Sequence, residues 1–276
     1  MKILPSNIVM LITGCIEANI NQPYHNISDV HIRYNQYMDT IIWALEKTIF
    51  SKIVFCENSN FFETHDVNKD VRKLFLLARK MGKELEIISF QGDFELVSLT
   101  NKGYGEGEII EYAIMNSRLL RSAQYFCKIT GRLKVVNIDK AFSETDFGIQ
   151  YFNRDRIHSR DWIDTRFFCC EVEYYKNNLM HQYLKLSDKV VIERLFYYVL
   201  REKSKKEWRS TYVYPDFEGK SGATGKEYKD TNVMRKAILN ILCRKNIYNH
   251  VYIPVRYSYI STKEWLYGLL YRIKKT

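Results

Sequence analysis

Proline and glycine are scarce, at 4 and 12 of 276 residues. With 21 Tyr and 15 Phe besides, the chain is neither low in complexity nor disordered. The six cysteines (15, 56, 127, 169, 170, 243) form no CxxC and no other metal-ligand spacing, which argues against a zinc ribbon or a redox motif. Cys15, Cys56 and Cys127 lie in apolar runs, where a free thiol behaves as a small hydrophobe. Together with the lack of a secretory signal pattern, this predicts a reducing, cytoplasmic setting. No stretch reaches the roughly 18 apolar residues of a bilayer span; Pro5, Ser6 and Asn7 interrupt the apolar start. There is no GxxxxGK[ST] phosphate loop, no internal repeat, and the six histidines are scattered.

Hydrophobic content of 46% and charged content of 27% suit a globular chain able to bury a sizeable core. The net charge of +10 favours an anionic partner: nucleic acid, a lipid surface or a phosphorylated ligand. The excess is dispersed. Residues 201–209 carry five cations and two acids, a pattern that also fits a solvated helix face. No RNP, helix-turn-helix or zinc signature accompanies the charge, so nucleic acid is not the expected partner.

Hydrophobic patterning orders the first half as strand, helix, strand, helix, strand. The strands are 7–14, 52–56 and 85–90. The helices are 29–50, with Ser28 as a candidate cap, and 68–81, stopped by Gly82. That order predicts a mostly parallel sheet with right-handed crossovers, in which ligands bind beyond the carboxyl ends of the strands.

The stretch 101–138 is the unit around which the rest is organised. A glycine-rich turn (Gly103, Gly105, Gly107) opens a helix, and an apolar run then ends on Lys128, Thr130, Gly131 and Arg132. Small residues allow close backbone approach, and cations at strand ends favour phosphate. A plainer reading of KGYGEGE is a helix start in which Glu106 and Glu108 favour the positive N-terminus. Beyond 138 the pattern predicts irregular structure with short strands. Helices are expected at 188–201, 231–243 and 261–275, with a turn-rich loop at 215–228.

The strand ends ITG (12–14) and ENS (57–59), followed by KGYGEGE (102–108) and KITGR (128–132), resemble in order and spacing the GT-A-type glycosyltransferases. More narrowly they look like bacterial enzymes of capsule or O-antigen (lipopolysaccharide) synthesis. The resemblance covers residues 6–140 and only loosely the remainder. It implies a GT-A-like, Rossmann-type, mostly parallel α/β sheet. Residues 1–140 would be the donor-binding half and 141–276 an acceptor-side, mainly helical region, the two forming one continuous unit. It implies a hexosyltransferase-type activity, moving a sugar from a nucleotide-diphosphate donor, UDP-linked by expectation, to a glycan or lipid-linked acceptor. Basic nucleic-acid binding and a nucleotidyltransferase of related topology are the alternatives.

On the same resemblance, Thr13 and Gly14 line the donor site, and Glu57 and Asn58 contact the base or ribose. Lys102 and Gly103 approach the nucleotide or diphosphate, and Lys128, Thr130, Gly131 and Arg132 stand where the family keeps its metal-binding Asp-x-Asp. No Asp-x-Asp occurs here. Charge developing on the leaving diphosphate must be met either by Mg²⁺ or Mn²⁺, with ligands left unassigned, or by fixed cations such as Arg132 and Lys128. An inverting reaction also needs a base. Asp164, in WIDTRFF, leads Asp146 and Asp161; its alternative is a turn-capping role beside Thr165. Glu193 reads first as an exposed helical acid. The terminal STKEWLYGLLYRIKK resembles an interfacial helix, which would place the protein against anionic lipid at the inner face of the plasma membrane. Docking on the domain is the alternative.

Overall fold

A computed structural model describes residues 7–18, 29–141, 148–154, 161–204, 206–220, 225, 227–228 and 233–249. In chain order its first half contains β1 (Ile8–Gly14), α1 (Val30–Lys47), β2 (Lys52–Glu57), α2 (Phe61–Thr64), α3 (Asn68–Lys80), β3 (Glu84–Ser89), α4 (Phe94–Leu99), α5 (Lys102–Asn116), α6 (Arg118–Arg121) and β4 (Tyr125–Thr130). There follow β5 (Leu133–Val135), α7 (Ile138–Ala141), β6 (Gln150–Arg154), β7 (Ile163–Glu171), α8 (Val172–Asn178), a 3₁₀ turn (Met180–Lys185), α9 (Ile192–Arg201), β8 (Trp208–Arg209), β9 (Phe217–Lys220), β10 (Glu227–Tyr228) and α10 (Val233–Arg244).

Seven strands form one sheet in the order β3-β2-β1-β4-β7-β6-β8. Strands β3, β2, β1 and β4 are mutually parallel, and β7 runs against both neighbours. The chain is thus α/β, with a large, mostly parallel mixed sheet flanked by helices. All seven residues of β1 are buried, because α5, α8 and α9 cover one face and α1 and α3 the other. Leu11, Phe126 and Phe168 pack on the first side with Ile110, Tyr175 and Phe196. Met10, Phe55 and Cys127 pack on the second with Tyr37, Ile41 and Leu74. The register sets Thr13 level with Cys56 and Thr130, and Glu57 level with Ser89. Four carboxyl ends therefore share one rim.

The first three strands and first two long helices lie where hydrophobic patterning expects them. Asp29 rather than Ser28 caps α1, accepting from the amide of Ile32 at 3.0 Å. Gly82, at φ +66°, provides the left-handed residue that ends α3. Three expectations change. Gly103, Gly105 and Gly107 are helical, inside α5, and not in a turn. Each costs about 1 kcal/mol against alanine in a helix. At Gly107 the reason is contact: a Cβ there would stand 2.3 Å from Cβ of Tyr183 in the 3₁₀ turn. The segment after 138 is not irregular, since β7 lies in the centre of the sheet, buried on both faces. Residues 217–228 include a hairpin, β9 and β10, which joins β5 in a second, three-stranded sheet.

The expected helix at 188 begins only at Ile192, after a turn in which the Ser187 amide donates to the Val190 carbonyl at 3.4 Å and the Val190 amide to the Ser187 hydroxyl at 3.2 Å. No helix among the described residues is long and apolar enough to cross a membrane. The terminal segment 261–275 and Asp146 lie outside the described residues.

Candidate functional site

Glu57 closes the turn after β2. Its Oε2 accepts from the Ser59 amide at 2.8 Å and from the Ser59 hydroxyl; Oε1 accepts from the Phe61 amide at 2.8 Å and from the Ser89 hydroxyl. Four donors fill a carboxylate, so this fully buried side chain braces β2 against β3. The Ser59 hydroxyl also takes the amides of Ile16 and Glu17, at 3.2 and 3.0 Å, which ties the loop after β1 to the loop after β2.

Asn58 is different. Its amide nitrogen donates to Oε2 of Glu108 at 3.4 Å, yet its side-chain oxygen has no partner although the residue is only 2% exposed. A buried acceptor left without a donor costs about 1–3 kcal/mol and is the kind of group a ligand satisfies. Burial raises the pKa of Glu108, which also accepts from the Asp93 amide at 3.0 Å.

Around the end of β1, burial pushes the Cys15 thiol up to about 12, while Arg33 and Arg132 pull it down and Glu57 pushes it further up. Glu57 and Arg132 therefore bear on one point. Arg33 is engaged, donating from Nε to the Ile16 carbonyl at 2.8 Å and from a terminal nitrogen to the Cys15 carbonyl. Tyr37 holds the backbone of Cys15 from both sides, at 3.0 and 3.1 Å. Arg132 makes one long contact, 3.5 Å to Oε1 of Gln36, and lies 6.0 Å from the ring centre of Tyr37. Among the described residues most of its fork of donors is unengaged.

Thr13 donates its hydroxyl to the Ile129 carbonyl at 3.5 Å, and its own carbonyl accepts from Gly131 at 2.8 Å. A Cβ on Gly131 would stand 2.4 Å from that carbonyl. Glycine at 131 therefore lets β1 and the exit of β4 close up. At Gly14, which accepts from the Asn58 amide at 3.2 Å, the added carbon would meet the Phe55 ring at 2.8 Å.

The other side of the β4 end is closed. The Lys128 ammonium, fully buried, is in direct contact with Glu106 of α5 and donates to the Thr165 carbonyl at 2.7 Å and to Oγ1 of Thr130 at 3.0 Å. Burial lowers its pKa to about 7, against the attraction of Asp164 and Glu193; Glu106, touching it, adds to that attraction. Thr130 in turn donates to Glu106 at 3.4 Å. Asp164 is gripped by a two-pronged fork from Arg166, at 2.7 and 2.6 Å, and by the Arg166 amide at 3.1 Å. The guanidinium of Arg166 lies 4.4 Å from the ring centre of Phe217 and 5.0 Å from that of Tyr228, which joins β7 to the hairpin.

Burial raises the pKa of Glu193, in the first turn of α9, with Lys102 and Lys128 opposing and Asp164 reinforcing the rise. Lys102 is exposed at the start of α5. Gly103 donates its amide to the capping side chain of Asn101 at 2.9 Å, and the Asn101 amide nitrogen holds the carbonyls of Ser187 and Val190 at 2.7 and 3.0 Å. The starts of α5 and α9 are thereby pinned together.

The residues expected at the site thus fall into two groups along one rim. Thr13, Gly14, Glu57, Asn58 and Arg132 gather at the ends of β1 and β2. Lys102, Gly103, Lys128, Thr130 and Asp164 gather on the α5–α9 side, and Gly131 is the seam. Lys128 and Glu57 are internal braces. Sequence reasoning passed over Ser59, Ser89, Glu106 as the partner of Lys128, and Glu193 as a buried-side acid. Only the polar run ENS hinted at the first of these. At the end of β4 stands the buried Lys128, in contact with Glu106. Among the described residues no group of three His, Cys, Asp or Glu could hold a metal. No family model and no curated protein matches the chain.

Proposed function

We propose that the protein is a glycosyltransferase of GT-A-like architecture, taking a sugar from a nucleotide-diphosphate donor to a glycan or lipid-linked saccharide of a surface polysaccharide. The observation that carries this reading is Arg132: a guanidinium at the carboxyl rim of a central parallel strand, whose one hydrogen bond among the described residues is a 3.5 Å contact to Gln36. Such rims bind ligands in open α/β sheets, and an unengaged guanidinium matches the bidentate geometry of phosphate oxygens. The unmet oxygen of Asn58 at the end of β2 suits a base N–H or a ribose hydroxyl.

In this account the bond between the sugar's anomeric carbon and the diphosphate breaks, and Arg132 meets the charge left on the leaving oxygen. A new bond forms from the acceptor oxygen to the same carbon, and the acceptor's proton passes to a carboxylate. Asp164, locked in the Arg166 fork, is poorly placed to take it. Glu193, whose pKa burial raises above the ordinary carboxylate value and so makes it a stronger base than a solvated acid, takes that role here. Lys128 contributes by fixing Thr130 and α5.

The test is release of nucleoside diphosphate from a panel of UDP-, GDP- and dTDP-sugars, with mixed glycans as acceptors and with and without Mn²⁺. One donor class is expected to be turned over, with release lost in Arg132→Ala. No release from any donor contradicts the proposal.

A further inference from the structure

On the side of Arg132 away from Lys128, a groove of about 370 Å³ opens between α1 and the β9–β10 hairpin. That volume falls in the roughly 300–1,000 Å³ range of small-molecule sites. Six charged side chains line it: Arg132, Lys134 and Lys220, and Asp39, Glu218 and Glu227. None of the six makes an ion pair with another, although Lys134 and Glu218 are directly opposed across the β5–β9 ladder. Gln36, Thr40 and Tyr228 complete the wall. Gly219, at φ +125°, shapes it: a Cβ there would lie 2.3 Å from the Arg132 carbonyl, so only glycine lets β9 lie this close.

Arg132 is already the diphosphate anchor of the proposed function; the other five charged side chains, two cations against three acids, sum to a negative charge, which does not suit a second phosphate group. The acids are interleaved with cations, which does not suit a metal ion. The lining is polar, which does not suit an apolar ligand. What it suits is a molecule whose groups both donate and accept hydrogen bonds. A hydroxyl does so, a carboxylate accepts from it, and an ammonium or guanidinium donates to it. Tyr228 adds an aromatic wall on which the C–H face of a sugar ring can pack.

We propose that this groove is a saccharide subsite, holding a sugar of the acceptor or product chain beside the diphosphate anchor. The proposal rests on the transferase reading for the role of the sugar, and on the groove alone for the binding.

The test is saturation-transfer NMR with lactose, maltose, cellobiose and chitobiose on the wild type and on an Asp39→Asn/Glu227→Gln double variant. Both acids are exposed, so the fold is expected to survive, which the unchanged melting temperature checks. At least one disaccharide should bind the wild type, with its signal reduced at least fivefold in the double variant, while stabilisation by nucleoside diphosphate persists. Absence of binding by all four, an undiminished signal in the double variant, or displacement of the sugar by inorganic pyrophosphate overturns the proposal. If a disaccharide binds as described but no nucleoside diphosphate does, the donor reading falls and the saccharide site stands.

Discussion

The two sides of the β4 end differ in what their charges are doing. On the α5–α9 side the buried cation is paired, Lys128 touching Glu106, and Arg166, between that side and the hairpin, holds Asp164. On the α1 side Arg132 makes no ion pair with a described residue, and the groove it lines keeps both signs of charge apart. Both sides read alike in the sequence, as basic residues at a strand end. A buried ion pair organises structure, whereas an uncommitted charge at a rim is available to a ligand.

The largest effect is expected at Lys128. Lys128→Met strands the Glu106 carboxylate and should cost about 3–5 kcal/mol, read as a fall in the urea midpoint. Adding Glu106→Gln should recover more than half, because the pair is removed as a unit. If the double variant is as unstable as the single one, Glu106 is not the partner that matters. Next, Gly131→Ala forces a carbon against the Thr13 carbonyl and should cost about 1–3 kcal/mol while weakening nucleotide binding. A neutral outcome would show that the seam between the two sides is slack.

Smaller and pH-dependent is Glu193→Gln. A carboxyl whose folded pKa is raised contributes stability below its ordinary value, about 4.3. That contribution is lost as pH rises through the raised value. The variant should therefore gain on the wild type as pH rises from about 4 through the raised value, with transfer activity lost. A flat difference across that range would mean the carboxyl is solvated, which removes it as the base. The smallest effect on folding is expected for Arg132→Ala, within about 0.5 kcal/mol, since among the described residues the side chain has only a long contact to Gln36 and a 6.0 Å approach to the Tyr37 ring.

The parallel core was legible because β1, β2 and β3 are short apolar runs bounded by polar turns. β7 was not, because IDTRFFCCE mixes charges into a strand buried on both faces, and only its neighbours β4 and β6 decide its place. The glycines of α5 were legible as sites of close approach. Their partner, Tyr183, could not be read from spacing. At the site, Asn58 and Arg132 were readable as polar residues at strand ends. Glu57 and Lys128 were equally readable, yet tertiary neighbours fill their bonding capacity. The groove depends on a hairpin at 217–228 that reads as a loop, so nothing in the sequence announced it.

The most direct test of the account is the unfolding free energy of wild type and Arg132→Ala with and without a nucleoside diphosphate. The wild type should gain about 2.7 kcal/mol at a ligand concentration of about one hundred times Kd, and Arg132→Ala should gain almost nothing while unfolding normally without ligand. Equal stabilisation of both proteins, or of neither, would contradict the claim that Arg132 waits at the rim for a diphosphate.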